Sequence, residues 1–168
     1  MTIKYAKAKT GYSNNGLPYV RMGNSSRNLV IFGGGPDFEH KPPSGFMLRM
    51  YTSSFKLLAK DYTVYLVSRR SGLPADYSTR NMSNDYATMI KEELGGPVDI
   101  MGLSSGGPIA HHFAVDHPDL VRHLILAETG YSLSKKGKEW TRRFGDLARQ
   151  VKWRTAATSI IPLMYPSN

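Results

Sequence analysis

The chain has 168 residues, of which 40% are hydrophobic and 21% charged, a composition typical of a folded domain and unlike that of a disordered segment. It contains no cysteine, which excludes disulfides, thiolate metal sites and a cysteine nucleophile. The formal net charge is +9, and much of it lies in the stretch 135–154, whose charged side chains sum to +6.

This basic stretch has two interpretations, a solvated helix face or a binding patch, and the solvated face is favoured. Nucleic-acid binding by these residues is the least favoured of the functions that the sequence allows. The N-terminus lacks the apolar core of a signal peptide, and no apolar run approaches the ~20 residues of a membrane helix. We therefore expect a cytoplasmic location and no membrane partner.

Short apolar runs alternate with longer helical patterns along the chain, which is typical of a parallel sheet with crossover helices. Asn14-Asn15-Gly16 has turn chemistry and is expected to join the first two strands as an antiparallel pair. Six strands are predicted, at Lys4 to Lys9, Pro18 to Met22, Asn28 to Phe32, Tyr62 to Val67, Val98 to Met101 and His123 to Ala127.

Helical periodicity fills the intervals between these strands. Crossover helices are predicted over Phe46 to Lys60, from Met82 to Leu94, and over Pro108 to His117. The second is expected to end at Gly95-Gly96-Pro97, because glycine accommodates a left-handed cap and proline cannot continue the helix. Trp140, Phe144, Leu147 and Val151 then mark an amphipathic helix outside the sheet pattern.

The most informative segment is Gly102-Leu103-Ser104-Ser105-Gly106, which lies between an apolar strand and a helix. A serine at the apex of such a turn projects its hydroxyl clear of the sheet, and flanking glycines relieve crowding. The backbone N–H of Ser105 would then face a developing oxyanion. A purely architectural Gly/Ser turn is the alternative, and the strand-to-helix setting disfavours it.

A second glycine segment, Gly33-Gly34-Gly35-Pro36, follows the buried strand Asn28 to Phe32. It lacks the spacing of phosphate-binding loops, which disfavours a phosphate cradle. Together with the Ser104 turn it resembles the α/β-hydrolase superfamily, in the branch with a proline-containing oxyanion loop. The resemblance implies that Gly35 and Ser105 donate to the oxyanion. It also implies an α/β three-layer sandwich with a mostly parallel sheet.

This resemblance has departures from the family pattern. Gly33 stands where relatives usually have His, Asp37 where they have Gly, and Ser68 where they have Asp. These changes weaken the side-chain support of the loop, but they do not remove a backbone donor.

Relatives order their triad as Ser, acid, His, but only 64 residues follow Ser104 and no late strands are predicted. We expect the last strands of the sheet, and the triad histidine, to lie beyond this chain. His111 and His112 fall ~10 Å or more along the helix from Ser104. His117 and His123 are expected at the surface, away from the site. His40 is the remaining candidate base, with a solvated loop histidine as the favoured alternative.

Glu128 follows the sixth predicted strand directly, where some members of the superfamily carry the triad acid. A carboxylate there could orient an imidazole. Helix capping or a structural hydrogen bond is the favoured alternative. Residues 1–130 are assigned to the hydrolase core and residues 131–168 to the start of a helical cap, whose apolar stripe needs the missing sheet edge or another chain to cover it.

The function expected from the sequence is therefore hydrolysis of an ester, thioester or amide through an acyl-enzyme on Ser104. No cofactor or metal is implied, and the expected partner is a small acyl substrate. Serine at the apex argues against dehalogenase and epoxide-hydrolase chemistry, which use a carboxylate nucleophile. The alternative is a non-catalytic hydrolase-fold protein that binds a ligand or forms a homo-oligomer across its exposed sheet edge.

Overall fold

The computed structural model describes residues 8–33, 41–152, 154–156 and 158–159. The chain divides into two compact units, Met1–Tyr131 and Ser132–Asn168. The first unit contains the sheet and its crossover helices. The second contains one long helix, and its assignment to a cap stays a prediction.

A six-stranded sheet forms the centre of the first unit, in the order β1-β2-β4-β3-β5-β6. β1 pairs antiparallel with β2 and β2 antiparallel with β4, whereas β4, β3, β5 and β6 run parallel. The sequence prediction of a mostly parallel α/β sheet is thus confirmed. The strands are β1 (Lys9–Tyr12), β2 (Pro18–Met22), β3 (Asn28–Phe32), β4 (Thr63–Val67), β5 (Val98–Leu103) and β6 (Val121–Ala127).

The first strand differs from its prediction. β1 begins at Lys9, where the predicted strand ended, and residues 4–7 of that prediction lie outside the described part of the chain. The turn at Asn14 and Asn15 fixes the hairpin register, with Tyr12 opposite Pro18. A hairpin strand lies next to its turn, so pairing with β2 determines the position of β1, whose polar residues give only a weak strand pattern in the sequence.

Helices cover both faces of the sheet and give it three layers. α1 (Gly45–Phe55) packs through Tyr51 on one face, and α2 (Thr79–Met89) and α3 (Gly107–Asp116) pack on the other. A π turn, Ile90–Leu94, extends α2 to Gly95, whose φ of 73° makes the predicted left-handed cap. The fourth helix, α4 (Lys135–Arg149), is the basic amphipathic helix of the second unit.

The larger core lies between the sheet and the helices α2 and α3. Phe32 is fully buried there, stacked on Tyr86 at a centroid distance of 4.4 Å and edge-on to Phe113 at 5.2 Å. Large buried aromatic rings contribute strongly to stability, at ~3–5 kcal/mol on truncation to alanine. The core therefore anchors the carboxyl end of β3, which Gly33 follows directly.

The order of the strands places the site. The chain crosses from β3 to β4 on one side and then returns over β3 to β5 on the other. In open α/β sheets such a reversal of strand order opens a crevice at the carboxyl ends of the strands, where ligands bind. β3 is followed by Gly33 and β5 by Ser104, so both predicted site segments flank this crevice.

Candidate active site

Ser104 lies at a sharp turn between β5 and α3. β5 ends at Leu103, the turn Ser104–Gly106 is a single 3-10 turn, and α3 begins at Gly107. Ser104 is exposed and has a φ of 49°, in the left-handed region that costs a non-glycine residue ~1–2 kcal/mol. Strained, exposed serines at strand-to-helix turns are the geometry of a nucleophile elbow.

Glycines make this turn possible because no side chain would fit. A Cβ on Gly102 would lie 2.6 Å from the Ala110 Cβ, and one on Gly106 would lie 2.1 Å from the Phe32 carbonyl oxygen. At Gly107 the obstacle is the Thr129 side chain, 2.0 Å away. β5, β3, α3 and the loop after β6 therefore converge tightly around the serine.

The turn is packed against Gly33, the first residue of the glycine segment. Besides the contact of Gly106 with the end of β3, the Ser105 hydroxyl donates to the Gly33 carbonyl at 3.4 Å. Residues 34–40 lie outside the described part of the chain, and with them the predicted donor Gly35 and the candidate base His40. The described residues thus place the Ser104 turn beside Gly33, which precedes Gly35 by two residues in the sequence.

Glu128 leaves β6 at the same level at which Ser104 leaves β5. Leu103 is paired with Ala127, so Ser104 and Glu128 are the next residues along two neighbouring parallel strands. Glu128 is exposed and also left-handed, with a φ of 52°. Its neighbour Thr129 packs on α3 at Gly107, so the backbone of Glu128 lies at the same end of the sheet as Ser104.

The four described histidines lie away from the turn. His111 and His112 are on α3, and the ring of His117 at the end of that helix hydrogen-bonds to Asn84 at 2.8 Å. His123 lies near the amino end of β6, whereas Ser104 follows the carboxyl end of β5. Among the residues that the structure describes, a base for Ser104 is therefore not in place.

The sequence pattern did not reveal a buried cluster of charged side chains near the amino ends of β5 and β6. Asp99 is 1% exposed and accepts two hydrogen bonds from Arg122, at 2.8 and 2.9 Å, and one from His123 Nδ1 at 2.7 Å. Arg27 lies 3.6 Å from the same carboxylate. Hydrogen bonding by Arg122 lowers the pKa of Asp99 far below its usual value, against the opposing effect of burial and with help from His123.

A bulge explains why two successive residues of β6 reach one carboxylate. Val98 pairs with Val121 but Asp99 pairs with His123, so Arg122 is the extra residue. Consecutive side chains of a regular strand point to opposite faces, and a bulge removes this constraint. The signal in the sequence was an acid within an apolar strand, because a buried carboxylate requires partners.

The loop after β4 is fixed by a second charged network. Arg70 Nε lies 3.1 Å from an Asp85 oxygen that also accepts from the Tyr77 hydroxyl at 2.9 Å. Asp85 is on α2, so the network fastens this loop to the helix beneath it. The hydrogen bond between Arg70 and Tyr77, followed by the hydrogen bond and negative charge of Asp85, raises the pKa of Arg70.

Metal-ligating clusters and membrane-spanning helices are both absent from the described part of the chain. No three metal-ligating side chains among its residues lie close enough together to hold an ion. None of its helices combines the length and apolar character needed to cross a membrane.

The fold and the turn define an α/β protein with an exposed serine between a parallel strand and the following helix, and comparison with known proteins gives the family. Residues 28–158 match the model of the alpha/beta hydrolase fold family. The chain therefore belongs to the α/β-hydrolase family, as the sequence indicated.

Individual relatives agree with this assignment. A Burkholderia sp protein named fluoroacetate dehalogenase is 31% identical over 121 residues, which cover 65% of this chain and 39% of that protein. Among solved structures, an alpha/beta hydrolase from Sphaerobacter thermophilus has a TM-score of 0.63 and 20% identity over 92% of this chain and 59% of its own. Cfl2 from Burkholderia cenocepacia has the same TM-score at 15% identity, over 93% of this chain and 57% of its own. The chain thus spans less than two thirds of each.

Proposed function

We propose that Ser104 is the nucleophile of a hydrolase that transfers an acyl group from an ester, thioester or amide to water. The observation that carries this proposal is the left-handed, exposed backbone of Ser104 between β5 and α3. A serine is held at this conformational cost when the surrounding structure over-determines it, and such residues cluster at active sites.

The reaction proceeds by two acyl transfers. The Ser104 oxygen attacks the substrate carbonyl carbon while a base takes its proton, and the negative charge moves to the carbonyl oxygen. N–H groups of Ser105 and Gly35 are the proposed donors to that oxyanion. The base then gives this proton to the leaving oxygen, sulfur or nitrogen, and the intermediate expels the neutral alcohol, thiol or amine. Water attacks the resulting ester on Ser104 and releases the acid.

The proposed base is a histidine supplied from outside this chain, and His40, outside the described residues, is the less favoured candidate. Glu128 is the proposed acid that orients it, because Ser104 and Glu128 leave neighbouring strands at one level. Without its base a triad enzyme retains only ~10³–10⁴-fold catalysis over water. The 168-residue chain by itself is therefore expected to hydrolyse substrates slowly.

Serine at position 104 favours acyl transfer over the displacement chemistry that the name of the Burkholderia relative implies. If the Ser104 oxygen displaced halide from an alkyl carbon, the product would be an ether on the enzyme. An ether has no carbonyl for water to attack, so the nucleophile would not be regenerated. A carboxylate nucleophile forms an ester in the same step, and water can cleave that ester.

Chemical rescue with free imidazole tests this proposal. Fluorophosphonate labelling of the chain is followed by intact mass and peptide mapping, with and without imidazole. We expect labelling of Ser104 to accelerate with the concentration of neutral imidazole and to vanish in Ser104→Ala. Ser105→Ala is the matched control, because it removes a neighbouring hydroxyl but keeps the backbone N–H, and it should still label.

The same experiment discriminates against the non-catalytic alternative. A folded chain that gives no Ser104 adduct at any imidazole concentration would contradict the proposal and favour a ligand-binding protein. Glu128→Gln separates the acid from the nucleophile, since it should lower the rescue by imidazole and leave the fold unchanged by circular dichroism.

A further inference from the structure

The helix α4 carries two rows of side chains on opposite sides. The apolar row, Trp140, Phe144 and Leu147, follows the spacing i, i+4, i+7, and all three side chains are partly buried. Two residues earlier the same spacing gives a basic row of three cations and a glycine, which are Lys138, Arg142, Gly145 and Arg149. A shift of two residues turns ~200° around an α-helix, so the two rows lie back to back.

This arrangement decides which side of α4 stays open. An amphipathic helix packs through its apolar side and keeps its charged side in water, because burial of unpaired charges is costly. Whatever packs on this helix is therefore expected on the apolar row. The basic row stays in contact with solvent.

An open cavity of about 340 Å³ lies along the basic row. Six residues, all within the second unit, line it: Leu133, Lys138, Thr141, Arg142, Gly145 and Arg149. At Gly145 an added Cβ would approach only the Arg149 guanidinium, at 3.8 Å. The space in front of this glycine is therefore free, and a ligand could approach the helix backbone there.

The charge of the cavity wall is strongly positive. Glu139 and Asp146 are the acidic residues of α4, and neither of them lines the cavity. Asp146 forms an ion pair with Arg149. The three cations of the wall against this one carboxylate leave two positive charges in excess. An anion in the cavity would relieve the repulsion between them.

We propose that this cavity binds a phosphate group, either the free ion or the phosphate of a small monoester. The donors are the three cations, because the Thr141 hydroxyl already donates to the Gly137 carbonyl at 2.9 Å. Two of the three are guanidinium groups, whose planar forks match phosphate oxygens. A phosphate offers three terminal oxygens to these donors, whereas a carboxylate offers only two.

The size of the cavity also agrees with a small ligand. Its volume lies at the lower end of the ~300–1,000 Å³ that is usual for small-molecule sites. A nucleic acid, by contrast, is attracted by every cation along its backbone. Arg143 lies outside the cavity, with its guanidinium 5.7 Å from the centre of the Trp140 ring. Two adjacent arginines, Arg142 and Arg143, therefore distinguish a localised phosphate site from a diffuse polyanion surface.

Isothermal titration calorimetry of the chain at low salt tests the proposal with three probes, inorganic phosphate, phenyl phosphate and acetate. We expect saturable binding of at least one phosphate probe, at least tenfold tighter than binding of acetate. Tighter binding of phenyl phosphate would assign the site to a monoester. Equal or tighter binding of inorganic phosphate would assign it to the free ion.

Arg142→Gln should weaken phosphate binding at least fivefold. Arg143→Gln is the matched control, since it removes the same charge from the next residue of the same helix, and it should change the affinity less than twofold. Equal losses for the two variants would overturn the proposal, because they would show that the phosphate responds only to the net charge of the helix.

Gly145→Leu tests the cavity without a change of charge. Leucine favours helix more than glycine does, and the space at this position is open, so the helix should be kept. The leucine side chain would fill the cavity, and phosphate binding should then be lost. Circular dichroism checks that the helix content does not fall.

Three results would count against the site. Absence of saturable binding at millimolar phosphate would overturn it, and so would unchanged binding by a folded Gly145→Leu chain. A short DNA duplex that binds equally well to the unmodified chain, Arg142→Gln and Gly145→Leu, and more tightly than either phosphate probe, would assign the basic row to nucleic acid instead. None of these measurements depends on labelling of Ser104, so this proposal and the proposed function can fail separately.

Discussion

Replacement of Asp99 by asparagine is the sharpest test of how β6 is held to the sheet. The carboxylate is 1% exposed and receives three hydrogen bonds from Arg122 and His123, both on β6. In Asp99→Asn the amide nitrogen cannot accept from Arg122, and the negative charge is lost. β6 would then keep its ladder with β5 but lose the charged fastening at the start of the strand.

The loss of stability can be estimated from how deeply Asp99 and its two partners, Arg122 and His123, are buried. Breaking a buried ion pair by removing one partner costs ~3–5 kcal/mol. The Arg122 and His123 side chains are 35% and 65% exposed, so water recovers part of this loss. We therefore expect the free energy of unfolding to fall by about 2–4 kcal/mol, which for a chain of this length lowers Tm by ~5–15 °C.

Urea unfolding followed by circular dichroism measures this change, with Asp116→Asn as the matched control. Asp116 also has a bidentate arginine, Arg80, with both bonds at 2.7 Å, but the Arg80 side chain is 58% exposed. Exposed pairs contribute little, so this control should lose much less stability than Asp99→Asn. Equal losses for the two variants would refute the role assigned to burial.

Three further outcomes follow from the same structure. The pKa of Asp99 is lower in the folded chain than its unfolded value of ~3.9, so its charged carboxylate stabilises the fold above that pH. As the pH falls below ~3.9, the free energy of unfolding should therefore decrease more for the wild type than for Asp99→Asn. Gly106→Ala should lose more than ~2 kcal/mol by urea unfolding, because its methyl meets the Phe32 carbonyl, whereas Gly96→Ala, with open space around it, should not. Ser104→Gly should gain ~1 kcal/mol while losing all fluorophosphonate labelling; a loss of stability would show that Ser104 is not strained.

Most of the fold could be predicted because the central strands β3, β4 and β5 are largely buried on both faces. β3 has four fully buried residues of five, and its predicted bounds, Asn28 to Phe32, are those observed. β1 lacks this signal, since three of the four residues in Lys9–Tyr12 are exposed. Its position depends on pairing with β2, which no local pattern contains.

The turn of the candidate site could be predicted because its tight backbone admits few residue types. The Asp99 cluster could not, because its partners are distant in the sequence. Gly102, Ser104 and Gly106 were found from their spacing because a turn this tight admits few residues. The Asp99 cluster was missed because its main partner, Arg122, is 23 residues away and reaches it only through a bulge. Register irregularities of this kind arise from pairing and leave no periodic trace in the sequence.

The left-handed conformations of Ser104 and Glu128 connect stability with chemistry in this fold. Both residues have φ near 50°, a conformation in which glycine would be more stable, and they follow Leu103 and Ala127, which are paired. A chain shaped by stability alone would place glycine at both positions. A hydroxyl and a carboxylate stand instead at adjacent strand ends, each at a cost of ~1–2 kcal/mol. Strain that occurs twice at one crevice, at the two residues proposed above as nucleophile and acid, is the pattern expected of an active site whose rigid surroundings impose the conformation.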